Sequence, residues 1–462
     1  MKTLDQIAAE LQGYDPQALS ADGVLAFLSK LVIPVKDGIE LPLFEALGRV
    51  LAEDVVSPFD VPPHDNSAMD GYAFDAGQLS PDAALALHVV GTALAGKVWA
   101  GNVYAGQCVK IMTGAIMPGG LDTVVPQEFV SGKGDVITIP AGLLKCGDNR
   151  RLRGEDLMQG KPALLKGDLL TPARLGLAAS LGLATLRCFR PIRVAYFSTG
   201  DEILSLGEPP REGAVYDSNR YTVFGMLRRM GCEVIDMGVV RDEPALLEAA
   251  FLSASARADA IITSGGVSVG EADHTKAMMK KLGDVAFWRI AMRPGRPMAV
   301  GRLVALKTTK NTDFEPKIAA KSASSPIDAG VNSYENNSNY QSNENGAILF
   351  GLPGNPVAVM VTFLAFVRPA LLKMMGASAA PAPLLKARSL EAIRKKPGRT
   401  EYQRGWVSTA VDGSLQVKTT GNQGSGVLRS MAEANGLMVL HHAQGNIAQG
   451  DEVDVLMFDV VM

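Results

Sequence analysis

The sequence predicts a multidomain α/β protein, and three observations carry that reading. The chain has 462 residues, more than one hydrophobic core usually accommodates. From about residue 190 to 375, apolar strand-like runs alternate with helix-like ones, the pattern of mostly parallel strands joined by crossover helices. Before and after that stretch lie short alternating runs broken by Gly and Pro, which read as β-rich domains.

Taken in order, residues 1–56 read as helical, with apolar spacing in LFEALGRVLAEDV (Leu43, Leu47, Val50, Leu51) suited to one buried face. Residues 57–156 change to runs such as CVKIMTG, TVVPQEFV and DVITIP, a small β-rich domain. Residues 157–189 return to the helical linking domain. There Thr171 offers an N-cap and Pro172 the first helical position of ARLGLAASLG.

Within 190–375 the strand-like runs are RVAYFSTG, CEVIDMGVV, ADAIITSGG, VAFWRIAM and ILFGLPG. The helix-like ones are RYTVFGMLRRMG, PALLEAAFLSASARA, ADHTKAMMKKLG and PVAVMVTFLAFV. Residues 307–346, rich in Asn, Ser, Glu and Lys, are expected to be a disordered insertion, because they bury too little to offset ordering entropy. Residues 376–462 read as a β-barrel, with a sandwich as the alternative; Asp412-Gly413 signals a hairpin.

Composition is ordinarily globular: 47% hydrophobic, 20% charged, formal net charge −3. That balance gives no support for a nucleic-acid or anionic-membrane partner. The four cysteines are scattered without metal-ligand spacing, which fits a reducing cytosol. The N-terminus lacks the apolar core of a signal peptide, so a cytoplasmic location is expected. The apolar run 357–367 is short for a bilayer and is read as a core helix closed by Arg368-Pro369.

Chemistry is expected at the strand ends, where ligands bind in open sheets of this kind. The bend after ADAIIT carries Gly265, Gly266, Ser268 and Gly270, which suits close approach of backbone N–H groups to a phosphate. Glu202, Asp242 and Asp273 stand at separate strand tips and could share one divalent cation, Mg²⁺ being the hard, oxygen-seeking choice. Arg289, Arg293 and Arg296 suit phosphate or tetrahedral oxyanions through paired hydrogen bonds. The five histidines show no metal-binding pattern.

The segments DNSAMDGYA, IMTGA, RGED, STGDE, DSNR, SGGVSVGEADHTK, PGRP, GLPGNP, YQRG and QGS occur in one order along nearly the whole chain. In this the sequence resembles the molybdopterin molybdenumtransferase family, the bacterial MoeA type, which is similar to the E domain of gephyrin. The resemblance implies a four-domain homodimer whose α/β domain binds molybdopterin. It implies conversion of adenylated molybdopterin and molybdate to molybdenum cofactor, with release of AMP and in the presence of Mg²⁺. The adenylyltransferase that makes the adenylate and the recipient molybdoenzymes are implied partners.

It also implies roles. Glu202, Asp242 and Asp273 would hold metal or polarise, and Asp70, Thr113 and Asp156, contributed by the neighbouring subunit, would join them in catalysis. Gly265, Gly266, Ser268, Gly270, Arg289, Arg293, Arg296, Pro353, Pro356, Arg404 and Ser425 would bind substrate. Many relatives carry Lys where this chain has the three arginines, which replaces a mobile point charge with a planar fork. Rival readings are the adenylyltransferase itself and a gephyrin-like scaffold that binds a partner peptide.

Overall fold

The computed structural model describes residues 2–267, 274–303, 346–378 and 380–462. The expected insertion therefore lies outside the described residues, apart from Gly346. The chain divides into two compact units, one formed by residues 1–39, 48–50 and 188–462 and the other by 40–47 and 51–187.

In the second unit, six strands form one sheet in the order Thr123–Pro126, Gly71–Phe74, Gln107–Ile111, Leu85–Ala93, Val136–Ile139, Ser131–Lys133. The three runs read as strands from sequence are all in it. Its inward positions, among them Ala73, Val109, Ile111 and Val124 on one side and Phe74, Leu87, Cys108 and Val125 on the other, build two small cores. Thr171 accepts the N–H of Arg174 and caps the helix Pro172–Ser180, as its Thr-Pro start predicts.

The helical reading of residues 1–56 holds only to Leu31. Helices Leu4–Ala9 and Ala21–Leu31 form, but Gly38–Pro42 is a strand and Leu43–Glu45 a single 3₁₀ turn. The apolar spacing in LFEALGRVLAEDV misleads because Gly48 sits at φ +73°, outside the helical region, and Phe44 and Leu47 are exposed.

The larger unit is built on a six-stranded sheet. Its elements are β1 (Arg193–Thr199), α1 (Ser218–Arg229), β2 (Glu233–Val240), α2 (Pro244–Arg257), β3 (Ala260–Ser264) and α3 (His274–Leu282). There follow β4 (Gly283–Arg289), β5 (Pro297–Leu303), β6 (Ala347–Leu352) and α4 (Pro356–Met374). The order across the sheet is β2-β1-β3-β6-β5-β4. The first four are parallel; β5 runs antiparallel to both β6 and β4. The sheet is thus mostly parallel, with an antiparallel edge that alternation alone does not reveal.

β3 and β6 are buried at every position, the expected result of covering both faces with helices. Ala195, Phe197 and Ile261 meet Leu247, Phe251 and Ala254 of α2 and Met278 and Met279 of α3. The Phe197 and Phe251 rings pack edge to face at 5.1 Å. At the amino end of the sheet, Asp259 is clamped by Arg190 at 2.7 and 2.8 Å and by the N–H of Arg193 at 2.7 Å. Burial alone would raise the Asp259 carboxyl, but these donors bring it below its ordinary value.

α4 is a core helix, yet Arg368-Pro369 does not close it. Residues Phe363–Val367 form a π turn in which the Arg368 N–H reaches the Phe363 carbonyl five residues back. This shift absorbs Pro369, which has no N–H to give and would crowd an α-helical ladder. By length and composition α4 could cross a membrane, but 72% of its most apolar window is buried inside the fold.

β7 (Leu385–Ser389), β8 (Thr400–Thr409), β9 (Leu415–Thr419), β10 (Gly436–Leu440) and β11 (Glu452–Met457) close a five-stranded barrel in the ring order β8-β9-β7-β11-β10. The Asp412-Gly413 hairpin joins β8 and β9, with Gly413 at φ +83°. Val407, Val417, Met438, Leu440, Val453 and Val455 fill the interior.

Candidate functional site

The register of the sheet decides where the expected residues stand. Ser198 pairs with Ser264, Ser264 with Leu352, Thr199 with Val240 and Arg289 with Pro297, so every one of these ends faces one edge. That edge carries Gly200–Glu202 after β1, Asp242 after β2, Gly265 and Gly266 after β3, Pro353–Pro356 after β6, and the three arginines from Arg289 at the end of β4 to Arg296 before β5.

Three tips interlock around Asp242. Its N–H donates to Asp201 Oδ1 at 3.3 Å, and its Oδ1 accepts from the Thr275 hydroxyl at 3.2 Å. Thr275, 1% exposed in the first turn of α3, is there because Gly266 lets it in. A Cβ on Gly266, at φ +64°, would lie 2.5 Å from the Thr275 Cβ. Gly265, at φ +93°, is equally constrained, since its Cβ would lie 2.5 Å from the Thr199 carbonyl oxygen. Both glycines thus have a structural reason in addition to any ligand. The Glu202 carboxylate folds over Gly200, where an added Cβ would meet it at 2.5 Å.

Asp273, Ser268 and Gly270 lie outside the described residues. Among the described residues, no group of three or more His, Cys, Asp or Glu side chains could hold a metal ion. What stands together is narrower: Asp242 with Asp201 and Thr275, and Glu202 one residue beyond Asp201.

The arginines share the edge but not the flank. β2 and β4 are opposite borders of the sheet, and five interstrand steps of about 4.8 Å separate their axes by roughly 24 Å. Arg289, Arg293 and Arg296 are exposed. Their turn is fixed through the backbone, with the Arg289 N–H on the Pro16 carbonyl at 2.8 Å and the Ile290 N–H on the Arg296 carbonyl at 2.7 Å. Met292–Arg293 also pairs with Thr400 and Glu401 of β8.

Between the flanks stands the turn Gly351–Pro356. Asn219 of α1 donates to the Gly354 carbonyl at 2.7 Å. Asn355 donates to Ser425 Oγ at 3.0 Å, and the Val357 N–H to the Ser425 carbonyl at 3.0 Å. Arg404 was expected to bind substrate, but it is 0% exposed. Its guanidinium donates to Ser430 Oγ and to the carbonyls of Asn422 and Gly424 at 3.0, 3.2 and 3.0 Å. Burial, then the nearby Arg293 charge, pulls it down to about 10. In this structure Arg404 holds the loop that presents Ser425.

In the smaller unit, Asp70 Oδ1 accepts both the N–H and the hydroxyl of Thr113, each at 2.7 Å. Those two donors hold the Asp70 carboxyl below its ordinary value. Asp156 is exposed, with its N–H on the Val61 carbonyl at 3.0 Å.

Sequence reasoning passed over Thr275, Asp201 as the partner of Asp242, and Asn219. The DSNR segment opening a helix was the available signal for Asn219; nothing local marks a threonine that acts across a bend.

Comparison with known proteins adds what geometry cannot. Residues 19–182 match the family described as MoeA N-terminal region (domain I and II), 195–373 the probable molybdopterin binding domain, and 386–458 the MoeA C-terminal region (domain IV). The chain is 38% identical over 420 residues to molybdopterin molybdenumtransferase of Haemophilus influenzae, covering 91% of this chain and 93% of that protein.

The chain belongs to the molybdopterin molybdenumtransferase family. It is accordingly a transferase of molybdenum cofactor biosynthesis. The family fold is also that of the crystal structure of the molybdopterin biosynthesis moeA protein from Pyrococcus horikoshii OT3. That likeness has a TM-score of 0.72 at 25% identity and covers 96% of this chain and 100% of that one. Gephyrin of Dictyostelium discoideum is 30% identical over 90% of this chain and 59% of its own length.

Proposed function

We propose that this molybdenumtransferase acts on adenylated molybdopterin and molybdate, forming molybdenum cofactor and releasing AMP, with Mg²⁺, as a cytoplasmic homodimer. The observation that supports it most is the interlock at the acidic flank. Asp242 has one carboxylate oxygen tied to Thr275, which fixes the orientation of the other. Glu202 follows the Asp201 that accepts the Asp242 N–H, and the bend at Gly266 admits Thr275 to this interlock.

Asp242 and Glu202 offer hard oxygen donors, and Mg²⁺ is commonly held by one or two carboxylates plus substrate phosphates; Asp273 would be the third protein ligand. Bound there, Mg²⁺ supplies neutralisation of charge developing on the phosphates as the anhydride is cleaved. The bend at Gly265 and Gly266, with Ser268 and Gly270, positions the phosphate of the pterin side chain. Pro353 and Pro356 stiffen the turn that separates this flank from the arginines. Arg289, Arg293 and Arg296 attract and orient molybdate or phosphate oxygens. Arg404 and Ser425 act by holding that turn. Asp70, Thr113 and Asp156 come, on this reading, from a second subunit.

The deciding assay supplies preformed adenylate. AMP release that requires both molybdate and Mg²⁺ is the expected result; adenylate formation from ATP and molybdopterin would instead show the adenylyltransferase. The gephyrin match is the observation behind a scaffold reading. Partner binding that survives Asp242→Asn, in a protein that never releases AMP, would favour it.

A further inference from the structure

The start of α1 carries two acceptor oxygens that the described residues leave unused. Asp217 is 4% exposed and Asn219 7%, and neither Asp217 Oδ2 nor Asn219 Oδ1 has a hydrogen-bond partner among the described residues. Their other polar atoms are committed. Asp217 Oδ1 accepts the Arg220 N–H at 3.1 Å as the helix cap, and Asn219 Nδ2 donates to the Gly354 carbonyl at 2.7 Å. The second bond fixes which end of the amide is left over, and it is the oxygen.

The hydroxyls nearby do not supply the missing donors. Tyr196, Ser198 and Ser264 close a ring of three hydrogen bonds at 2.9, 2.8 and 3.1 Å, so each O–H is used within it. Burial, then the Asp217 charge, raises the Tyr196 phenol above its ordinary value. Ser264 leads into the glycine bend, and Gly354 belongs to the turn after β6. The acceptor pair therefore adjoins the proposed substrate edge. Buried acceptors left without donors are costly and rare in native proteins.

We propose that Asp217 Oδ2 and Asn219 Oδ1 accept paired N–H donors from the aminopyrimidinone edge of the substrate's pterin ring. The inference rests on the function proposed above and adds the residues that recognise the ring. A 2-amino-4-oxopyrimidine presents N–H donors on its amino group and on the adjoining ring nitrogen. A carboxylate and an amide oxygen complement that edge, the carboxylate through a charge-assisted bond. Both oxygens are closed to solvent, so admitting the edge requires local opening at the start of α1.

Asn caps a helix about as well as Asp, so Asp217→Asn keeps the cap while turning the open acceptor into a donor. The test is equilibrium titration of the full chain with molybdopterin, using pterin and lumazine as competitors; lumazine carries a carbonyl where pterin has its amino group. The variant is expected to bind molybdopterin about ten-fold more weakly or worse, at an unchanged thermal midpoint. The unsubstituted protein is expected to prefer pterin to lumazine, and the variant to lose that preference. Unchanged affinity in the variant, or equal competition by the two bicycles in the unsubstituted protein, overturns the inference. A protein that passes both measurements yet releases no molybdate-dependent AMP overturns the proposed function instead, so the two failures are separable.

Discussion

At the acidic flank of the sheet, Asp242 is gripped by groups from two other tips, Asp201 after β1 and Thr275 in α3. At the basic flank, Arg289, Arg293 and Arg296 stand exposed on a turn whose fixed points are all backbone. The first arrangement sets the direction of a side chain; the second sets only where flexible side chains begin. Charge that must meet a reacting bond needs the former, whereas charge that gathers an anion can work with the latter.

Substitutions on the two flanks should therefore fail in different ways. The largest loss is expected from Asp242→Asn, at least about a hundred-fold in kcat for AMP release with little change in thermal midpoint. A kcat within two-fold or so of the parent would remove Asp242 from the chemistry. Gly266→Ala comes next, because it combines a left-handed backbone with a 2.5 Å clash against Thr275. Chemical denaturation should show a loss of about 2–4 kcal/mol.

On the other flank, Arg289→Ala combined with Arg296→Ala should raise the apparent KM for the anionic substrate about ten-fold while kcat holds. A fall in kcat with KM unchanged would erase the distinction between the flanks. The smallest effect is expected from Thr275→Val, about five-fold in kcat, with Thr275→Ser restoring most of it. If Ser fails to rescue, Thr275 matters for packing and not for aiming Asp242.

Much of the α/β architecture was legible in the sequence, because strands covered on both faces become uninterrupted apolar runs and helices keep their own period. Thr171-Pro172 and Asp412-Gly413 were legible for a local reason, since caps and tight turns depend on a few adjacent residues. Position 48 defeated the pattern around it because one left-handed glycine cancels a helix that apolar spacing favours. Pro369 misled in the opposite direction, since the π turn that accommodates it leaves no signature in composition. At the site, the strand tips were legible but their order across the sheet was not. The strand order, which no local pattern records, sets Asp242 and the three arginines at opposite borders. Gly265 and Gly266 looked like a ligand cradle, though the nearest reasons for them are Thr199 and Thr275.

The bond from the Val357 N–H to the Ser425 carbonyl joins the opening of the longest core helix to a loop contributed by the last 90 or so residues of the chain. A truncation before the barrel would thus do more than remove an appendage. It would unplug the start of α4, and with Arg404 gone too, the turn that divides the two charged flanks would lose its far abutment. Shortened versions of this protein should accordingly be poor tools for mapping its chemistry, because the piece that looks separable by sequence is a keystone in space.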